Sequence, residues 1–244
     1  MDKLKLMKYQ NTIARFYDNF SDKQIKTGKN LRHYTIAKHL KQKGIGNSHK
    51  ILEIGCGIGT LTELIQRLAP KAEIIALDIS PRNIEIARKR IKSNRVKFME
   101  ADASRDLEIN EKFDFIVLAD VIEHIPTEQY DLLFTNLKRV SKIDTKIFIN
   151  IPHPNLIKHI KETNPESLQI VDQSIYPTTL YQFLQTNQFI INEKKDYSIF
   201  YRTPDYTYYW ISPFSIDINL SYDKTIFLPK RILKKFLLRI FLSF

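Results

Sequence analysis

Three glycines stand at alternate positions, Gly55, Gly57 and Gly59, directly after the apolar run Ile51-Leu52-Glu53-Ile54. Glycine takes positive φ without a steric penalty and lets the backbone come within contact distance of a ligand, so this spacing between a strand and a helix predicts a nucleotide cradle. The pattern is E-x-G-x-G-x-G, not the dinucleotide fingerprint G-x-G-x-x-G. A carboxylate, Asp78, closes the next apolar run about 20 residues after the first glycine, the offset of an acid that accepts ribose hydroxyls. Asp102 follows a third run, where it can accept the adenine amino proton. A fourth run ends in Asp120-Val121-Ile122-Glu123-His124, and His153 follows a fifth in Asn150-Ile151-Pro152-His153-Pro154. An unperturbed imidazole titrates near neutrality, at about 6.5, which makes His124 the first candidate for a general base and His153 the second.

These residues need a scaffold that brings distant strand ends together. The apolar runs 51–54, 74–78, 96–99, 113–120 and 146–150 read as strands, separated by helical patterns opened by Thr60, by Ser80-Pro81 and by Thr127, the last running to Val140. A further helix is expected from Thr178 to Thr186, and 189–193 with 206–211 supply a final hairpin. Ahead of the glycines, two helical patterns, 6–20 and 31–43, form a helical cover. The alternation is that of an α/β fold.

The ordered set of glycines and strand-end acids over roughly 51–150 resembles the class I S-adenosylmethionine-dependent methyltransferase family, in its small-molecule branch. The resemblance implies a Rossmann-like seven-stranded, mostly parallel sheet with one antiparallel strand, helices on both faces and an N-terminal helical lid. It implies S-adenosyl-L-methionine as cofactor, held by Glu53, Gly55, Gly57, Asp78, Asp102 and the backbone near Ala119, with Cys56, Ile79 and Ala103 beside them. Tyr17 matches an aromatic hydroxyl of the family's N-terminal cover. Some relatives, the RNA-end 2′-O-methylating and quinone O-methyltransferases, hold a divalent cation on an acid-x-x-Glu-His stretch that Asp120, Glu123 and His124 match. Their later histidine ligand is missing here, where Asp172-Gln173-Ser174-Ile175-Tyr176 stands, so a metal is not expected.

The organisation expected is a cover over 1–50, the methyltransferase domain over 51–223 and a basic amphipathic helix over 224–244. The net charge of +11 divides into +9 for residues 1–50, −4 for 51–223 and +6 for 224–244. Basic ends around a mildly acidic body suit an anionic membrane surface, reached through the last helix, better than a nucleic-acid track across the crevice. A single cysteine excludes an internal disulfide, and no apolar stretch reaches the roughly 18 residues of a membrane span, so a cytoplasmic protein is expected. Aromatics crowd 197–210 at alternate strand positions that could line a pocket for a sugar or a flat ring. The function expected is methyl transfer to a small-molecule hydroxyl, of a glycan or lipid-linked intermediate. An RNA 2′-O-methyltransferase and a catalytically silent cofactor-binding partner are the alternatives.

Overall fold

The computed structural model describes residues 21–105, 107–169 and 171–214. Tyr17, the first expected helix and the expected C-terminal helix lie outside the described residues. Residues 21–27 are helical, past the boundary expected at Phe20. The strands are β1 (Lys50–Ile54), β2 (Glu73–Asp78), β3 (Val96–Glu100), β4 (Phe113–Ala119), β5 (Ser141–Pro152), β6 (Phe189–Tyr197) and β7 (Tyr206–Pro213). The helices are α1 (Leu31–Gln42), α2 (Thr60–Leu68), α3 (Pro81–Arg90), α4 (Tyr130–Arg139), α5 (Pro154–Thr163) and α6 (Pro177–Thr186).

All seven strands join one sheet in the order β3-β2-β1-β4-β5-β7-β6. The first five pair in parallel, and β7 alone runs against its neighbours β5 and β6. Alternate side chains feed opposite faces, so the sheet carries helices on both. Ile51, Ile74, Phe115, Val117 and Phe148 meet Ile36 and Leu40 of α1 and Leu61, Leu64 and Ile65 of α2. Leu52, Leu77, Ile116, Leu118 and Ile149 meet Tyr130, Leu133, Phe134 and Leu137 of α4 and Leu180 and Leu184 of α6. Strand order reverses between β1 and β4, so their carboxyl ends part and leave a crevice.

Local chemistry sets the helix starts. Ser80 Oγ accepts the Asn83 N–H at 3.1 Å and Pro81 occupies the first turn of α3, as the sequence predicts. In α1 the Asn30 side chain accepts the His33 N–H while His33 Nδ1 accepts the Asn30 N–H, a reciprocal cap. Thr127 does not cap a helix: residues 127–129 form a 3-10 turn and α4 begins at Tyr130 without a side-chain cap.

Candidate active site

The carboxyl ends of β1, β2 and β4 open into a cavity of about 350 Å³, closed by residues of the N-terminal cover from Lys23 to Ile36. Its floor is the glycine turn, where Gly55, Gly57 and Gly59 have φ of 73°, 54° and 78°. A Cβ on Gly55 would lie 2.4 Å from Val121 Cγ2, and one on Gly57 would lie 3.1 Å from the Gln24 amide. The turn thus needs glycine twice over, for its left-handed backbone and for its close packing.

Asp78 fixes the rim. Its Oδ2 accepts the Gly57 N–H at 2.7 Å, and its Oδ1 accepts the Ser80 N–H at 2.9 Å and the Asn83 amide at 3.1 Å. Both carboxylate oxygens are thus oriented by the turn at the cavity wall. Beneath it Glu53 is buried, and one carboxyl oxygen has no hydrogen-bond partner. Burial, with Asp78 adding, pushes Glu53 up to about 8. Asp102 Oδ1 accepts the Ser104 N–H at 2.9 Å, which turns the chain back along the wall.

The cavity brings together Glu53, Gly55, Cys56, Gly57, Asp78, Ile79, Asp102, Ala103, Ala119, Asp120 and His124, which are far apart in the chain. His124 Nδ1 lies 2.6 Å from the Val171 carbonyl oxygen, an obligate acceptor, so Nδ1 carries a proton; Asp172 Oδ1 stands 3.0 Å away. Burial would lower the His124 pKa, but the Glu123 and Asp172 carboxylates outweigh it and raise it to about 9. His153 is not on the wall. Its Nδ1 accepts the Asn155 N–H at 3.3 Å as the N-cap of α5, which corrects the expectation that it serves as a second base.

The cation set does not assemble. Among the described residues no three or more His, Cys, Asp or Glu side chains are placed to hold a metal ion. Asp120 is turned to an ion pair with Arg32 and accepts from the Asn150 amide, while Glu123 is buried off the cavity wall with neither carboxyl oxygen bonded. The aromatic pocket is also corrected. Tyr208 and Trp210 pack in one core, Tyr209 packs in the other, and none of 197–210 lines the cavity.

Sequence reasoning expected the cover but named only Tyr17 from it, not the residues the structure places on the wall. Gln24, Thr27, Asn30, Arg32 and His33 line the cavity, with Asn83, Ser104, Gln129 and Gln169 from the body. Burial works against the Arg32 charge, but the Asp120 carboxylate beside it raises its pKa above the usual arginine range. A signal was present: 32, 36 and 40 share one helical face, and Arg32 stands on the same stripe as the buried Ile36 and Leu40. Burial and the cations Arg32, Arg90 and Lys29 lower His33 to about 4 and keep its ring neutral.

The methyltransferase domain family matches residues 51–144. The sheet order and the glycine cradle, with acids at successive strand ends, agree with it. Residues 51–144 are similar to the methyltransferase domain, and the fold is that of the class I S-adenosylmethionine-dependent methyltransferases. This methyltransferase is 33% identical over 142 residues to malonyl-[acyl-carrier protein] O-methyltransferase of Priestia megaterium, covering 58% of this chain and 48% of that protein. It is 26% identical over 166 residues to the mitochondrial ubiquinone biosynthesis O-methyltransferase of Schizosaccharomyces pombe, covering 63% and 59%. The chain spans about half the length of the curated relatives it matches. The fold is similar to that of magnesium protoporphyrin IX methyltransferase from Synechocystis PCC 6803 with bound SAH, at TM-score 0.66 and 15% identity, covering 84% of this chain and 99% of that one.

Proposed function

We propose that this methyltransferase transfers the methyl group of S-adenosylmethionine to an oxygen of a small-molecule acceptor. The observation that carries the reading is the Asp78 carboxylate, fixed by Gly57 and Ser80 at the rim of a glycine floor and facing the cavity. Asp78 would take the ribose hydroxyls, Asp102 the adenine amino group, and the buried Glu53 would lie under the positively charged end of the cofactor. The orphaned Glu53 oxygen and the positive-φ glycine floor, where the backbone lies open to close approach, fit such a ligand. The cofactor supplies an electrophilic methyl on its sulfonium, so the chain's part is to bind, align an acceptor, exclude water and receive a proton. His124, held through Nδ1 by the 171–172 backbone and carboxylate, is the imidazole on the wall; with its pKa raised to about 9 it holds a proton at neutral pH and becomes able to receive one as the pH rises towards 9, so turnover should climb with pH. Two of the relatives are named as O-methyltransferases, which supports oxygen as the acceptor atom.

The test is titration calorimetry with S-adenosylhomocysteine, followed by transfer of labelled methyl to a panel of hydroxyl-bearing acceptors. Asp78→Ala is expected to weaken binding by about 10- to 100-fold, the loss of a charge-assisted hydrogen-bonded contact. Wild-type affinity in that variant would remove the site. His124→Gln is expected to keep the affinity and lose most of the turnover.

A further inference from the structure

The tip of the β6–β7 hairpin is built to hold two aromatic rings in water. The carboxylate of Asp205, 1% exposed, accepts the backbone N–H groups of Ile199 and Phe200, each at 2.7 Å. The Asp205 backbone bonds those of Tyr197 and His153. Phe200 and Tyr201, at the apex, are 57% and 59% exposed. Ordering a loop costs conformational entropy, and leaving two rings in solvent forfeits the burial that would offset it.

The tip is not alone. Pro152 of β5 pairs with Tyr206 of β7, so the tip lies at the same end of the sheet as the cavity. Arg32 of α1 donates to Tyr206 Oη at 3.4 Å and His39 packs on Tyr197 and Tyr208, so α1 runs along the hairpin with its first turn beside the tip. That turn carries Leu31 and Tyr34, 58% and 52% exposed. Residues 29–43 and 198–204 contain no acidic residue, and the exposed Lys38 and Arg202 form no ion pair among the described residues.

We propose that Leu31, Tyr34, Phe200 and Tyr201 form a docking face for an anionic lipid surface, with Lys38 and Arg202 at the headgroup level. Exposed aromatic rings beside unpaired cations match the chemistry of the bilayer interface. Docked this way, the cavity mouth lies near the headgroups and can take an acceptor held there.

The test is cosedimentation of the full chain with vesicles of phosphatidylcholine mixed with phosphatidylglycerol, and with phosphatidylcholine alone. Wild type is expected to prefer the anionic vesicles. Phe200→Ser/Tyr201→Ser, at exposed positions, is expected to lose about tenfold or more in partitioning with its melting temperature unchanged. Lys38→Glu/Arg202→Glu is expected to abolish the preference for anionic vesicles through a different chemistry. Equal partitioning of wild type and the aromatic variant overturns the proposal, as does wild type binding neither vesicle, the result a protein partner on this face would give. The assay needs neither cofactor nor acceptor, so its failure leaves the methyl-transfer reading untouched.

Discussion

Burial keeps the Glu53 carboxyl mostly protonated at neutral pH, with a pKa of about 8 against an ordinary 4.5. A cationic ligand settling over it favours the carboxylate, so cofactor binding at pH 7 should release a proton. Calorimetry in buffers of different ionisation enthalpy measures this directly, and the uncharged-sulfur product should release less than the sulfonium. The sign for stability follows from the same shift. A carboxyl raised on folding stabilises most below its unfolded pKa, and the contribution is lost as pH rises through about 8. Glu53→Gln should therefore melt above wild type at pH 9, and the gap should narrow as the pH falls towards 4. The places of Asp78 and Asp102 on the cavity wall were legible in the sequence because Asp78 ends an apolar run and Asp102 closely follows one, whereas that of Arg32 was not, since a cation in an amphipathic helix reads as a solvated side chain until its stripe is followed to Ile36 and Leu40.

Among the elements, β1, β2, α3 and the inverted β7 match the sequence reading because their apolar periods and caps are local signals. Helix α5 was overlooked even though Pro154 stands at its first turn, because the only strong marker nearby, His153, was read for chemistry. If capping is its role, His153→Ala should cost well under about 1 kcal/mol and leave turnover per folded molecule intact, as paired denaturation and rate measurements would show. Strand β5 starts five residues before the expected Lys146. The polar stretch 141–145 looks like a loop, but Thr145 Oγ1 donates to the Phe113 carbonyl oxygen at 2.6 Å and holds an irregular pairing there. The aromatics of 206–210 were misread because alternation shows that a strand has two faces and not which of them is covered. Helix α1 covers one, burying Tyr208 and Trp210.

At the scale of the whole molecule, binding energy and folding energy are linked, since a ligand that binds only the folded chain adds to its stability. S-adenosylhomocysteine at a hundred times its Kd should raise the Tm by about 5–10 °C, and a flat melting temperature under saturating ligand would contradict the assigned cavity. One feature of the cradle extends this to kinetics. Cys56 is the sole cysteine of the chain, it sits between two of the cradle glycines at 5% exposure, and burial pushes its thiol pKa well up. A maleimide or disulfide reagent therefore meets one slow target, and the rate of its labelling is a clock for how often the floor of the cavity breathes open, one that an occupant should slow or stop.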